Sequence, residues 1–214
     1  MKYYSSELNL NIENPHLKGL ITVVDDDSLS TAVNFLKPCC LNFASPSRPG
    51  GGYESVIDLR MPIKTQEEDL FRRSNLPELM DSEEVKKYYP LTGIESIYCS
   101  AVASKDKYLN NIEPFEFAVV TMPAVINPTI EDYKTTVKQK VKMIFDIAIE
   151  NVHKNLILGA WGCGIFGNNP ETIANLFLQE IELRKGYFEN VIFAIPGEKS
   201  HNHQVFLEEI KNFI

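Results

Sequence analysis

Residues 42–76 read NFASPSRPGGGYESVIDLRMPIKTQEEDLFRRSNL and contain two informative motifs. Three consecutive glycines occupy positions 50–52, and a Gln-Glu-Glu triplet follows at positions 66–68. Glycine buries no side chain and loses more backbone entropy on folding than any other residue, so three in a row are not expected to serve packing. Such a run is typical of a loop whose backbone N–H groups approach an anion, most often a phosphate.

The acidic pair Glu67 and Glu68 lies at the predicted beginning of a helix over residues 65–75. Thr65 and Glu68 stand at the spacing of a capping box, which favours a helix start here. Two adjacent carboxylates close to a phosphate-binding loop are candidates for general acid–base catalysis. The alternative is a surface hairpin followed by an ordinary acidic first turn, and this stretch alone does not distinguish the two.

The size and charge of the chain restrict its function. With 214 residues and a mass of 24.3 kDa, it fits a single domain spanning residues 1–214 with a full hydrophobic core. The formal net charge is -8, and no cluster of lysine and arginine is longer than a pair, which argues against generic nucleic-acid binding. Because the overall field repels anions, a bound phosphate would have to be held by local backbone donors.

The cysteines at positions 39, 40, 99 and 163 form no CxxC pair and no Cys/His cluster at zinc spacing. We therefore expect reduced thiols, no metal site and no cofactor. Residues 1–19 lack the apolar segment of a signal peptide, and no run approaches the roughly 18 apolar residues of a membrane span. These features predict a cytoplasmic monomer that contacts neither membrane nor nucleic acid.

Strand-like and helix-like segments alternate through most of the chain. Strands are predicted over residues 20–24, 39–43, 96–102, 117–122, 155–160 and 190–195. Helices are predicted over residues 29–35, 65–75, 81–87, 131–152, 170–185 and 204–214. Because several strands are apolar on both faces, this order predicts a three-layer α/β/α domain with a mixed central sheet.

A second glycine-rich segment, WGCGIFG at residues 161–167, directly follows the apolar strand predicted over residues 155–160. Ligands of such sheets bind at the carboxyl ends of the strands, so both glycine-rich loops are expected to meet in one crevice. Two phosphate-binding loops fit a diphosphate better than a single phosphate.

Four segments, taken in order, make the chain similar to the microbial poly(ADP-ribose) glycohydrolase-like family, a branch of the macrodomain fold. They are NFASPSRPGGG, TQEEDLFRRSNL, FAVVTMPAVINP and LGAWGCGIFGNNPETIA, and the similarity extends over residues 20–197. The resemblance implies hydrolysis of the ribose–ribose glycosidic bond in poly(ADP-ribose), or of mono-ADP-ribosyl substrates. The implied partners are ADP-ribose, ADP-ribosylated proteins and poly(ADP-ribose).

The resemblance also implies roles for single residues. Glu68 resembles the catalytic acid, Glu67 the carboxylate that holds hydroxyls of the ribose being cleaved, and Gln66 a neighbour that shapes the site. Asn42 is similar to the asparagine that contacts the distal ribose, and Asp26 lies where relatives bind the adenine amine. The two loops implied to contact ribose and diphosphate contain Gly50, Gly51, Gly52, Gly162, Cys163, Gly164, Ile165 and Phe166, with Phe166 against the distal ribose.

The chain departs from the family pattern at two places. Tyr53 to Thr65 form a longer and less small-residue-rich interval between the two motifs than relatives have, and this insert is expected to reshape or cover the ribose pocket. Ile195 and Pro196 stand where relatives carry the aromatic residue that stacks on adenine. Adenine affinity is therefore expected to be weaker or to depend on another residue.

Cleavage of a glycosidic bond to ribose passes through an oxocarbenium-like state and needs a proton on the departing oxygen. Burial and a neighbouring like charge raise the pKa of a carboxyl group, whereas a helix N-terminus lowers it. Because consecutive helical residues point about 100° apart, one carboxylate would orient ribose hydroxyls while the other transfers the proton.

Two other functions remain open at this point: an ADP-ribose reader whose insert has removed catalysis, and a phosphatase of an ADP-ribose phosphate, which needs no acidic pair. Some residues also have simpler interpretations. Cys163 suits a tight loop better than a nucleophile, since no histidine is near in sequence, and Trp161 is expected to pack beneath that loop. His201 and His203 are expected to be solvated, and Arg72–Arg73 either to face solvent or to support the acidic triplet.

Overall fold

The computed structural model describes residues 1–10, 19–56, 65–184 and 186–214 of the protein. Within this part, seven strands form one sheet in the order β1-β4-β5-β3-β6-β7-β2. The strands are β1 (Lys2–Tyr4), β2 (Leu20–Val24), β3 (Pro38–Asn42), β4 (Ser96–Lys105), β5 (Asn111–Thr121), β6 (Asn155–Leu158) and β7 (Asn190–Ala194).

Helices pack on both faces of this sheet. They are α1 (Ser28–Ala32), α2 (Gln66–Arg73), α3 (Leu76–Met80), α4 (Glu83–Lys86), α5 (Ile130–Asp132), α6 (Lys138–Glu150), α7 (Pro170–Leu183) and α8 (His201–Phe213), with a 3₁₀-helical turn at Tyr53–Val56 and a π-helical turn at Tyr133–Val137. Among the residues that the structure describes, no helix is both long and apolar enough to cross a membrane.

The sheet is mixed, as the sequence predicts. Strands β2, β7, β6, β3 and β5 are parallel neighbours, whereas β4 runs antiparallel to both β5 and β1. A short polar hairpin at residues 106–110 joins β4 to β5, which allows antiparallel pairing without a crossover helix. The carboxyl ends of the parallel strands lie together at one edge of the sheet, the usual place of a ligand crevice.

Two hydrophobic clusters cover the two faces of the sheet, because successive strand residues point to opposite sides. In β3, Cys39 joins the cluster that packs against α6, α7 and α8, and Cys40 joins the cluster that packs against α1, α2 and α3. Leu156, Ile157 and Leu158 of β6 are all fully buried. The predicted three-layer α/β/α architecture is thus confirmed.

The predicted elements are present, with some of their ends displaced. β5 begins at Asn111 rather than at 117 and β4 continues to Lys105 rather than to 102, because the polar connection between them is itself paired as part of a hairpin. The helix predicted over residues 131–152 is divided into α5, the π-helical turn and α6. Strand β1 and helix α3 were not predicted.

The last helix begins at His201, before the predicted start at 204, because the Ser200 hydroxyl oxygen accepts a hydrogen bond from the His203 N–H (3.3 Å) and caps the helix. The expectation that His203 is solvated is wrong. Its side chain is buried, and its Nδ1 lies 2.8 Å from the carbonyl oxygen of Ile195. His201 is exposed, as expected.

Candidate active site

The beginning of helix α2 is fixed to the carboxyl end of β3. Thr65 caps the helix, since its hydroxyl oxygen accepts a hydrogen bond from the Glu68 N–H (3.4 Å). Gln66 joins helix to strand: its Oε1 accepts from the Phe43 N–H (2.9 Å), and its Nε2 donates to the Leu41 carbonyl oxygen (2.8 Å). Gln66 thereby positions the two glutamates that follow it.

The carboxylate of Glu67 is buried and accepts three hydrogen bonds. Its Oε1 accepts from Asn42 Nδ2 and from the Gly50 N–H, both at 3.1 Å, and its Oε2 accepts from the Ser45 N–H at 2.7 Å. This carboxylate therefore holds the loop that carries the glycine run against α2. Since an ionised carboxylate has about four acceptor positions, one position on Oε2 remains for a further donor.

Burial raises the pKa of Glu67 to about 7. The hydrogen bonds from Ser45, Asn42 and Gly50 oppose this rise, and the charge of Glu68 adds to it. A carboxyl group with a pKa near 7 exchanges its proton close to neutral pH, which is the range that general acid–base catalysis needs. Both oxygens of Glu67, however, already accept hydrogen bonds from the protein.

Glu68 is oriented differently. It lines a large cavity, and its buried Oε2 has no hydrogen-bond partner in the part of the chain that the structure describes. The predicted capping box is only half formed, since among the described residues the Glu68 side chain returns no hydrogen bond to the backbone of Thr65. In a complete capping box the Thr65 N–H would donate to the Glu68 carboxylate. Without this hydrogen bond, a Glu68 oxygen remains available to a ligand.

The glycine run has more than one structural reason. Gly50 and Gly51 have φ angles of 71° and 56°, in the left-handed region that favours glycine. A Cβ on Gly50 would lie 2.4 Å from the Tyr53 ring and 2.6 Å from the Phe71 ring, so the expectation that these glycines do not serve packing is wrong here. Gly51 lines the cavity, and a Cβ there would lie 3.3 Å from Glu67 Oε2.

Residues 161–167 follow β6 and form a compact second loop. Asn168 holds it together, because its Nδ2 donates to the carbonyl oxygens of Val125 (2.8 Å) and Gly162 (3.1 Å). Gly162 has a φ of 75°, and a Cβ there would lie 2.6 Å from the Asn168 amide nitrogen. Within the described residues the backbone N–H groups of 164–166 have no acceptor, so they are available to an anion.

The two loops and α2 surround one cavity of about 910 Å³. This volume suits a small-molecule ligand, since such sites typically measure about 300–1,000 Å³. Of the site residues predicted from the sequence, the cavity wall contains Gly51, Gln66, Glu67, Glu68, Gly162, Gly164, Ile165 and Phe166. The structure therefore brings the acidic pair and both glycine-rich loops together, as the crevice rule predicts.

The other predicted site residues do not line this cavity: Asn42, Asp26, Gly50, Gly52 and Cys163. Asn42 is fully buried, and its Nδ2 donates to Glu67 rather than facing the cavity. The Asp26 carboxylate accepts from the Asp27 N–H (2.9 Å) and lies 3.9 Å from Lys107 Nζ. Asp27 and Lys107 line the cavity in place of Asp26.

Arg73 supports the cavity wall from behind. It is buried, and its guanidinium lies 2.7 Å from Asp27 Oδ1 and 2.8 Å from Asp69 Oδ2, so it links α2 to the N-cap of α1. Arg73 therefore does not face solvent, and its ion pairs are with Asp27 and Asp69 rather than with Glu67 or Glu68. The polar hairpin gave no indication in the sequence that Lys107 reaches the cavity.

The second loop rests on a packing residue, as expected. Trp161 is fully buried, and its Nε1 donates to the Met122 carbonyl oxygen (2.8 Å). Burial raises the pKa of the Cys163 thiol to about 12, which opposes formation of a nucleophilic thiolate. In the described part of the chain, no group of three or more His, Cys, Asp or Glu side chains is placed to hold a metal ion.

Of the two predicted departures from the family pattern, the structure describes the surroundings of only one. Most of the insert, residues 57–64, lies outside the described residues, and so does its predicted effect on the ribose pocket. Ile195 and Pro196, the second predicted departure, both line the cavity.

Comparisons with known proteins show which family this chain resembles. The family model of the microbial-type PARG catalytic domain matches residues 1–104. The structure of poly(ADP-ribose) glycohydrolase (PARG) from Deinococcus radiodurans in complex with ADP-ribose has a TM-score of 0.79 and 24% identity, over 94% of this chain and 88% of that chain. A search of curated proteins found no match.

PARG from Thermomonospora curvata is similar at slightly higher identity. Its structure bound to the inhibitor ADP-HPD has a TM-score of 0.75 and 27% identity, over 88% of this chain and 78% of that chain. A further structure of this PARG has a TM-score of 0.78 and 26% identity, over 94% of this chain and 80% of that chain. The resemblance of this chain to the microbial-type poly(ADP-ribose) glycohydrolase family, first indicated by its motifs, is therefore confirmed.

Proposed function

We propose that this protein is a poly(ADP-ribose) glycohydrolase that hydrolyses an ADP-ribosyl O-glycosidic bond, with Glu68 as general acid and base. The observation that carries the proposal is one cavity lined by both Glu68 and residues 164–166. Within the described part of the chain, Glu68 Oε2 has no hydrogen-bond partner and the N–H groups of residues 164–166 have no acceptor. The similarity to Thermomonospora curvata PARG, at 26% and 27% identity, supports the same activity.

In this proposal the second loop binds the diphosphate of the substrate. The N–H groups of residues 164–166 are already positioned by the Asn168 hydrogen bonds, so little ordering is needed on binding. Glu67 accepts a ribose hydroxyl at the remaining acceptor position of its Oε2, beside Gly51. Phe166 packs against the distal ribose from the cavity wall.

The cleavage step needs one proton in each direction. The bond between the anomeric carbon and the departing oxygen breaks, its electron pair leaves with that oxygen, and Glu68 gives the oxygen a proton. A water molecule then adds to the anomeric carbon and returns a proton to Glu68. General acid–base assistance of this kind contributes about 10²–10⁴-fold to the rate.

The acid is assigned to Glu68 and not to Glu67, although burial raises the pKa of Glu67 to about 7. A general acid must reach the oxygen that it protonates, and geometry decides before pKa does. Glu67 accepts hydrogen bonds at both oxygens, whereas Glu68 has one unpartnered oxygen among the described residues. Glu67 therefore orients the ribose and the first loop.

We further propose that one macrodomain-type domain, residues 1–214, carries this activity as a cytoplasmic monomer acting on ADP-ribosylated proteins or polymer. A single sheet that extends from β1 to β7 supports the one-domain assignment. The net charge of -8 supports a protein that does not bind nucleic acid, because it disfavours contact with the phosphate backbone.

The test is turnover of poly(ADP-ribose) beside singly ADP-ribosylated proteins, with free ADP-ribose measured by chromatography. The proposal expects release of ADP-ribose from the polymer. Tight binding of ADP-ribose without release would identify a reader, and release of inorganic phosphate from an ADP-ribose phosphate would identify a phosphatase. Either result would overturn the glycohydrolase assignment.

A further inference from the structure

The hydroxyl of Ser28 is a polar group of the cavity wall that the proposed function does not yet use. Ser28 is the first residue of α1, is 4% exposed and lines the cavity. Its Oγ lies 3.0 Å from Nε2 of Gln66, the residue that joins α2 to β3. Within the described part of the chain, this is the one hydrogen bond of the Ser28 hydroxyl.

The direction of this hydrogen bond follows from the other two contacts of the Gln66 amide. Its Oε1 accepts from the Phe43 N–H, which can only donate, and its Nε2 donates to the Leu41 carbonyl oxygen, which can only accept. The two ends of the amide therefore cannot be exchanged. Because Nε2 donates its second proton to Ser28 Oγ, the serine is the acceptor, and its own proton is left for another partner.

An acceptor for the Ser28 proton is missing among the residues that the structure describes. A buried polar group without a partner is one that a ligand or water can satisfy. The charged side chains described in the cavity wall are four carboxylates and one ammonium group: Asp27, Glu67, Glu68, Asp69 and Lys107. An anionic ligand of this cavity therefore depends on neutral hydrogen-bond donors.

We propose that Ser28 donates its hydroxyl proton to an oxygen of the substrate diphosphate, and that Gln66 fixes the direction of this contact. The inference rests on the proposed function, in which the N–H groups of residues 164–166 bind the same diphosphate. A diphosphate has several acceptor oxygens, so a donor from a second element of the cavity wall can bind it as well. Gln66 then holds both a substrate donor on α1 and the beginning of α2, the helix of Glu68.

The binding test compares ADP with adenosine in the Glu68→Gln variant. Ser28→Ala is expected to weaken the binding of ADP about tenfold, because a hydrogen bond to a charged acceptor is lost. The affinity for adenosine, which has no diphosphate, is expected to change less than about twofold. Calorimetry measures both affinities. Equal losses for the two ligands would assign the hydroxyl to the nucleoside, and either that result or an unchanged ADP affinity would overturn the proposal.

Ser30→Ala is the matched control in the same helix. The Ser30 hydroxyl already donates to Asp27 Oδ2 (2.6 Å) and accepts from Arg73 (3.2 Å), and Ser30 does not line the cavity. The same substitution there is expected to leave the affinity for ADP unchanged. A loss as large as that of Ser28→Ala would mean that disturbance of α1, and not the Ser28 proton, weakens binding.

A double-mutant cycle tests the role of Gln66. Gln66→Glu keeps an acceptor for the Phe43 N–H but has no N–H group for Ser28, so at pH 8 the new carboxylate accepts the Ser28 proton in place of the substrate. In this background Ser28→Ala is expected to weaken ADP binding less than about twofold, compared with about tenfold when Gln66 is present. Tenfold losses in both backgrounds would overturn the role of Gln66.

Turnover distinguishes this inference from the proposed function. A wild-type protein that releases no ADP-ribose from poly(ADP-ribose) would overturn the glycohydrolase assignment. The affinities for ADP and adenosine would still decide the role of Ser28, because their measurement needs no turnover.

Discussion

The backbone N–H groups of the two glycine-containing loops of the cavity differ in whether the protein itself supplies their acceptors. In the first loop, the N–H groups of Ser45 and Gly50 donate to the carboxylate of Glu67. In the second loop, the N–H groups of residues 164–166 have no acceptor within the described residues. A side chain of the protein thus occupies donors of the first loop, whereas the second loop keeps its donors for an external anion.

This difference between the two loops shows that a glycine-rich sequence does not by itself identify a phosphate-binding loop. Gly50 is a glycine because the rings of Tyr53 and Phe71 leave no room for a side chain. At Gly164, by contrast, a Cβ would meet no atom within 4 Å, so packing does not explain the residue. We infer that the first loop is held in place by Glu67, whereas the second loop keeps its N–H groups for the substrate.

The largest expected effect separates the two glutamates. Glu68→Gln is expected to lower kcat about 10²–10⁴-fold, because the amide cannot supply the proton, while the affinity for ADP-ribose is retained. Turnover of poly(ADP-ribose) and calorimetric binding of ADP-ribose measure the two parts. If Glu67→Gln abolished turnover and Glu68→Gln did not, the assignment of the acid would be reversed.

The second prediction concerns the Glu67 carboxylate, which accepts the hydrogen bonds that hold the first loop. Glu67→Ala leaves the N–H groups of Ser45 and Gly50 without an acceptor and the Asn42 amide nitrogen with Thr121 Oγ1 alone, which is expected to lower the free energy of unfolding by about 3 kcal/mol. Urea denaturation measures the loss. Glu67→Gln is the control, since it keeps one acceptor oxygen and is expected to lose less; an alanine variant as stable as the wild type would contradict the role of this carboxylate.

Helix α6 contains a buried cation. Lys140 is 2% exposed with its Nζ near Met122 Sδ, and burial lowers its pKa to about 8 while the charge of Glu95 opposes this. Its charged form is therefore costly in the folded protein. Lys140→Met is expected to raise the free energy of unfolding by about 2 kcal/mol at pH 7.

The pH dependence of stability tests whether the charge of Lys140 causes the stabilisation expected for Lys140→Met. Between pH 8 and the model-peptide value of 10.5, the unfolded chain keeps the Lys140 proton that the folded chain has lost, so wild-type stability rises relative to the variant. The advantage of Lys140→Met should therefore shrink across this window. Denaturation at pH 7 and pH 10 measures it, and a gain independent of pH would mean that packing, not charge, is responsible.

The smallest effects distinguish two glycines of the second loop. Gly162→Ala is expected to lower the free energy of unfolding by about 1–2 kcal/mol, because its φ is 75° and the added Cβ would lie 2.7 Å from that of Ala124. Gly164→Ala is the matched control and is expected to change stability by less than about 0.5 kcal/mol. Similar losses in thermal unfolding for both variants would contradict this difference between the two positions.

Much of the fold could be predicted because its central strands are short apolar runs. Residues of β6 and β7 are buried on both faces, so their composition alone indicates a covered sheet. The hairpin of β4 and β5 and the edge strand β1 depend on which strands pair, and this is not encoded in local composition. His203 was misjudged for the same reason, since its partner is the carbonyl oxygen of Ile195 at the end of another element.

The sequence motifs predicted which residues line the cavity better than they predicted the hydrogen bonds of those residues. Gln66, Glu67 and Glu68 could be identified because their order and spacing are distinctive. That Glu67 would accept hydrogen bonds from Asn42 and Ser45 could not be read from the sequence, because these residues lie 25 and 22 positions away and meet it only in the folded chain. The sequence could likewise not show that the capping box is only half formed, because this depends on the orientation of the Glu68 side chain.

The engagement of both Glu67 oxygens has a consequence for the course of the reaction. A carboxylate whose lone pairs accept hydrogen bonds from two loop amides and a side-chain amide is a poor nucleophile toward a sugar carbon. No glycosylated form of Glu67 is therefore expected to accumulate, and fluorinated sugar analogues that trap such adducts in other glycosidases should leave the Glu67 side chain unmodified in peptide mass spectrometry.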